Sequence, residues 1–305
     1  MEQNGVLNNV ISLNKKIADK NRACGKEKSR GSNAKIIAIT SGKGGVGKTN
    51  IVANLGFALS RLGKKVLIFD ADLGLGNLDI LLGLAPKYNL SHVIMGDKTV
   101  SEILIKGPGG IRILPASSGI QELTELTESQ TARIFSELET LMDSTDILLI
   151  DTAAGISSNV LYFNFIAQEI VVVVSPEPTS ITDAYALMKV LSIKYSEKKF
   201  KLLVNMVADE QEAKEVFRQL NLVAGQFLDI SIEYFGHVLS DKNVTRCVKS
   251  QKLISEIYPD FPASSCFKSL AKKINSFPAP LSLKEAKNIF QRSILINKQD
   301  RAESD

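Results

Sequence analysis

An α/β fold with a mostly parallel, twisted sheet and helices on both faces is what this sequence predicts, and three observations predict it. Short apolar runs of strand length recur at residues 36–39, 66–69, 147–150, 171–174 and 202–204. Helical stretches alternate with them, the pattern of parallel strands joined by crossover helices. The first run leads into a glycine-rich loop and two others end in carboxylates. In an open parallel sheet, those strand ends are where ligands bind.

Taken in order, Ile36-Ile37-Ala38-Ile39 reads as a buried strand, and residues 48–62 as a helix spaced through Ile51, Leu55, Ala58, Leu59 and Leu62. Between them lies Gly42-Lys43-Gly44-Gly45-Val46-Gly47-Lys48-Thr49, which fits the phosphate-binding pattern G-x-x-x-x-G-K-[ST]. Gly44, Gly45 and Gly47 free the backbone to point successive N–H groups at phosphate oxygens on a helix N-terminus. Lys48 would hold the β- and γ-phosphates and Thr49 would ligate Mg²⁺.

The second strand, 66–69, ends at Asp70-Ala71-Asp72, and the strand 147–150 ends at Asp151. Phosphoryl transfer needs Mg²⁺ beside the phosphates and a polar group to orient the attacking water, so acids at these strand ends suit the chemistry. Asp70 also fits an ordinary helix cap or turn former. The strand 171–174 runs into Ser175-Pro176-Glu177-Pro178-Thr179-Ser180, and the strand 202–204 ends at Asn205. An amide there can give a donor and an acceptor to adenine, or can simply form a turn. Residues 235–241, Phe235-Gly236-His237-Val238-Leu239-Ser240-Asp241, read as a loop.

The loop from Lys43 to Thr49 resembles the KGGVGKT motif of the deviant Walker A class of P-loop ATPases, the MinD/ParA group, at every position. The resemblance implies the P-loop NTPase fold, ATP and Mg²⁺ as ligands, and an ATP-dependent homodimer. It also implies that Lys43 reaches across the dimer to the partner's nucleotide, where a loop lysine would otherwise add only local positive potential. By the same resemblance Asp151, in Asp151-Thr152-Ala153-Ala154-Gly155, acts on Mg²⁺ together with Thr49, Asp72 positions the attacking water, and Asn205 meets adenine. Lys43, Lys48 and Asp72 would then be the catalytic set, with residues 42–49 and Asn205 binding nucleotide. Relatives usually carry a proline where Leu239 stands.

Composition agrees with an enzyme of this size. The chain has 305 residues, 44% of them hydrophobic, enough for a full core. Its apolar runs fall far short of the roughly 18 residues of a membrane span, and no leader pattern opens it, so a cytoplasmic protein is expected. Cys24, Cys247 and Cys266 are unpaired in spacing, and His92 and His237 have no metal-ligand spacing, which argues against a disulfide framework or a zinc site. Residues 1–33 hold seven basic side chains against three acidic ones and account for the whole net charge of +4. The neutral remainder offers no bulk footprint for DNA, so DNA binding is not expected.

Three regions follow: a basic arm at 1–33, an ATPase domain at 34–276, and an amphipathic segment with a polar tail at 277–305. In the first, Val6, Val10, Leu13 and Ile17 form a stripe suited to docking or to packing on the domain. In the last, Leu283, Ala286, Phe290 and Ile294 form another, suited to weak membrane contact by residues 281–296 or to packing on the core.

Over residues 35–275 the chain looks most like the flagellar number regulators, the FlhG/FleN/YlxH group. That resemblance implies the signal-recognition-type GTPase FlhF, a flagellar transcriptional activator and flagellar switch proteins as partners, and a place at the inner face of the membrane, a cell pole included. The group's N-terminal motif D-Q-A-x-x-L-R stands here as Glu2-Gln3-Asn4-Gly5-Val6-Leu7-Asn8, without its cation. The expected function is an ATP-dependent dimerising switch that hydrolyses ATP slowly and regulates flagellar number and placement. A ParA-type DNA-partition ATPase, a MinD-type division-site regulator and a nucleotide-switched binding protein with negligible hydrolysis remain open beside it.

Overall fold

The computed structural model describes residues 34–116 and 126–277. Strands β1 (Lys35–Ser41), β2 (Val66–Ala71), β3 (Ile105–Lys106), β4 (Arg112–Leu114), β5 (Ile147–Ala154), β6 (Glu169–Val174), β7 (Lys199–Val207) and β8 (Ser231–Leu239) make one sheet in the order β3-β4-β2-β5-β1-β6-β7-β8. Every pairing is parallel except that of β3 with β4. β1 lies between β5 and β6, so its carboxyl end is flanked by the ends of the other central strands.

The central strands read as unbroken apolar runs because both of their faces are covered. On one face, α1 (Lys48–Arg61) and α11 (Pro262–Asn275) bury Ile51, Leu55, Leu59, Phe267 and Leu270 against Ile37, Ile39, Leu203 and Phe235. On the other, α5 (Glu128–Met142) and α6 (Ser158–Ile166) cover β2 and β5, where Phe69 meets Phe163 edge to face at 5.2 Å. Beside them α7 (Pro178–Tyr195) and α8 (Glu210–Phe227) cover Val172, Val174, Leu202 and Val204.

Helix starts follow their caps. Thr127 and Gln130 form a capping box for α5, and Asp209 accepts from the Glu212 amide at 2.9 Å to open α8. Pro178 stands in the first turn of α7, where its missing N–H costs nothing. Short helices α2 (Leu78–Leu81), α3 (Leu90–Met95), α4 (Val100–Ile103), α9 (Lys242–Lys249) and α10 (Ile254–Ile257), with a 3₁₀ turn at Pro108–Gly110, complete the described chain.

One expectation is corrected. Residues 235–239, which the sequence predicts as loop, continue β8 to Leu239, with Phe235 and Val238 buried. The register against β7 shifts between Leu202 and Leu203, and Gly236 there takes a φ of 149°. That bulge breaks the two-residue alternation by which a strand is recognised. The N-terminal arm and the amphipathic stretch beyond Phe277 lie outside the described residues. Among the described residues no helix is long and apolar enough to cross a membrane.

Candidate active site

The glycine loop leaves β1 at Ser41 and enters α1 at Lys48, at the carboxyl end of the sheet. Two glycines are required by contact. A Cβ on Gly42 would lie 2.1 Å from the Asp183 carbonyl oxygen of α7, and one on Gly47, at φ 90°, would lie 2.5 Å from Asn205 Nδ2. The loop is therefore seated against α7 on one side and the end of β7 on the other. Its last residue, Gly47, caps the amino end of α1, whose dipole favours an anion.

Lys48 is only 9% exposed, and its Nζ donates to Ser41 Oγ at 2.8 Å. The Ser41 hydroxyl in turn donates to the Lys43 carbonyl at 2.7 Å, tying the buried lysine to the backbone of the loop. Burial lowers the Lys48 pKa, and the carboxylates of Asp151 and Asp72 oppose that shift. A partly desolvated cation among acids and loop amides is suited to a polyphosphate.

The acids come from neighbouring strands. Asp70 on β2 and Asp151 on β5 are partners in register and both are buried. Burial raises the Asp151 pKa to about 7, opposed by a hydrogen bond from Thr49 and by the Lys48 charge, and helped by Asp72. Asp151 Oδ1 has no hydrogen-bond partner among the described residues. An orphaned carboxylate oxygen beside the Thr49 hydroxyl is a hard-oxygen donor set, and it fits Mg²⁺. Asp70 is raised well above the usual carboxylate range by burial and by Asp151, against hydrogen bonds from the Leu78 and Asp72 amides. Asp72 is half-buried at the start of the following loop, and its Oδ1 accepts from the Leu75 amide at 3.2 Å.

Asn205 sits at the carboxyl end of β7, where its Nδ2 donates to the Val46 carbonyl at 2.8 Å. Its amide nitrogen is thus bound to the glycine loop. Met206 follows with a φ of 63°, unusual for a side chain with a Cβ, where the β7–β8 register shifts again. Lys43 has partners distinct from those of Lys48: its Nζ pairs with Glu177 and donates to Thr179 Oγ1 at 2.9 Å. The site thus unites Lys43, Lys48, Thr49, Asp72, Asp151 and Asn205 around one loop.

Glu177, Thr179 and Ser41, which contact the two loop lysines, were not singled out by the sequence. Behind the site Thr152 Oγ1 donates to Thr40 Oγ1 at 2.9 Å, and Asn164 Nδ2 donates to the same oxygen at 3.1 Å. This buried network joins β5, β1 and α6 beneath the loop.

A glycine loop between strand and helix, a buried lysine and strand-end acids define a P-loop nucleotide-binding ATPase. A family model described as an AAA domain matches residues 34–206. The antiactivator FleN of Pseudomonas aeruginosa is 45% identical over 245 residues, which cover 80% of this chain and 88% of FleN. The flagellum site-determining protein YlxH of Helicobacter pylori is 36% identical over 229 residues, or 75% of this chain and 77% of YlxH. Among solved structures, the MinC:MinD cell division protein complex of Aquifex aeolicus matches with a TM-score of 0.66 at 29% identity, covering 82% of this chain and 99% of that one. The chain belongs to the MinD/ParA-type family of P-loop ATPases, in the group of FlhG, FleN and YlxH.

Proposed function

We propose that this protein is an ATP-switched homodimer that hydrolyses ATP slowly, under stimulation by a partner, and sets the number and placement of flagella. One observation carries the mechanism: a single loop holds two lysines in opposite settings, Lys48 buried against Ser41 and the acids, Lys43 turned outward to Glu177. The likeness to FleN and YlxH supports the flagellar assignment.

In this reading the backbone of residues 42–49 and Lys48 hold the phosphates, and Thr49 and Asp151 hold Mg²⁺. Bound there, Mg²⁺ supplies neutralisation of the phosphate charge. Asp72 orients the attacking water through the carboxylate oxygen that the Leu75 amide leaves free. Asn205 exchanges the Val46 carbonyl for adenine, and Lys43 leaves Glu177 and Thr179 for the nucleotide of the second copy. The ATP-bound dimer is the active signal, and hydrolysis ends it.

Partners of the kinds found in this group follow: a transcriptional activator, a signal-recognition-type GTPase and flagellar switch proteins. The name antiactivator borne by FleN supports the first. The altered motif at residues 2–8 lacks the cation of the group's motif, which leaves stimulation of the GTPase an open question for this chain. The three-part organisation at 1–33, 34–276 and 277–305 serves this switch, with 281–296 giving weak membrane contact that two copies in a dimer reinforce, at the inner face of the membrane and at a pole.

The test is electron microscopy of a deletion strain complemented with the wild-type chain or with Lys48→Ala. Extra or misplaced flagella, restored to normal only by the wild type, with normal division and nucleoids, are expected. Normal flagella together with minicells or DNA-free cells would move the same ATPase to division or partition.

A further inference from the structure

The loop after β2 is held at both ends by one side chain. Asp70 is 2% exposed; its Oδ1 accepts from the Asp72 amide and its Oδ2 from the Leu78 amide, each at 3.2 Å. The intervening residues cross directly over the carboxylate, since a Cβ on Gly76 would lie 2.9 Å from Asp70 Oδ2 and 2.4 Å from the Ala116 Cβ. Leu73 and Leu78 are buried at the two ends, while Leu75 between them is 71% exposed. Asp72 is oriented by this same loop, through the Leu75 amide.

Burying one carboxylate beside another is costly, so a purely structural strand end would favour an apolar or amide side chain. The aspartate side chain accepts from two divergent amides, one with each of its oxygens. An asparagine keeps the volume but turns an N–H₂ toward one of the amides, so one clamp is lost.

We propose that Asp70 is a positioning residue for hydrolysis, clamping the 72–78 loop so that Asp72 is held at the distance from the γ-phosphate that orients water. This rests on the role proposed above for Asp72. A displacement of about 1 Å in a catalytic group can cost on the order of 100-fold in rate, so loss of one clamp is enough to be read kinetically.

The experiment is a double-mutant cycle on steady-state ATP hydrolysis by the full chain, with Asp70→Asn, Asp72→Ala and the pair. Asp70→Asn alone is expected to lower kcat about 10-fold or more while KM for ATP stays within about twofold. In the Asp72→Ala background it is expected to add nothing. Gly76→Ala, whose Cβ would push the loop off Asp70 and Ala116 while both acids stay in the chain, should reproduce the fall in kcat and serves if Asp70→Asn does not fold. Multiplying losses, or kcat and KM moving together, would overturn the role of Asp70 while leaving that of Asp72 intact. Unchanged turnover in Asp72→Ala alone would remove Asp72, and with it this inference.

Discussion

Burial lowers the Lys48 pKa, and the charges of Asp151 and Asp72 oppose that cost. A charge-assisted hydrogen bond is worth roughly 1.5–3 kcal/mol, so Lys48→Ala should weaken ATP binding by about 10- to 100-fold or more. Titration calorimetry reads this directly, and wild-type affinity would overturn the site. Asp151 makes a pH-dependent prediction for the nucleotide-free protein. Its native pKa of about 7 stands above the ordinary 3.8, so between those values the folded state binds the extra proton. Stability from this group is therefore greatest below that window and falls as pH rises through it. Urea midpoints measured from pH 4.5 to 7.5 should show that fall, and Asp151→Asn should make it shallower, leaving the share of buried Asp70; an unchanged slope would mean Asp151 is ionised throughout. Lys48, Thr49 and Asp151 were legible in the sequence because a phosphate loop and an acidic strand end have local spacing. The hold of Glu177 on Lys43 was not, since 134 residues separate them and only the fold makes them neighbours.

Among the elements, α1 depends on a tie at its buried side. Asn54 accepts from the Ser255 amide of α10 at 3.0 Å through Oδ1, and its Nδ2 donates to the Asn50 carbonyl at 2.9 Å. Removing that acceptor leaves a buried N–H unsatisfied, so Asn54→Ala should cost about 1–3 kcal/mol in urea unfolding. A change below about 0.5 kcal/mol would show that the tie does not hold α1 in place. The same scale explains what was readable in the fold. β1, β2, β5 and β6 are covered on both faces, so their apolar runs were visible without knowing any partner. β8 pairs on one side only and carries a bulge at Gly236, so its pattern resembled a loop. β3 and β4 have two and three residues, too few for either period to show. Asn54 itself gave no signal, because a polar residue within an apolar helical face is recognised only once α10 is seen beside it.

At the scale of the whole molecule, the loops after β2 and β5 present exposed apolar side chains, Leu75 and Ile156, on the end of the sheet that carries the glycine loop. Solvent-facing residues of this kind beside a nucleotide site suit a surface that a second copy covers, burying apolar area and excluding water from the phosphates together. Light scattering should then find a monomer without nucleotide and a dimer for Asp72→Ala with ATP and Mg²⁺, in which hydrolysis no longer disperses the pair. Ile156→Asp should weaken that dimer at least about 10-fold, because an unpaired charge would be buried at the contact. Lys43→Ala separates binding from assembly. Its Nζ meets Glu177 and Thr179, not the buried Lys48 cluster, so the variant should retain ATP affinity yet remain monomeric. Loss of ATP affinity in Lys43→Ala would place its contribution within its own site, and the trans-acting role would fall even if dimers still formed.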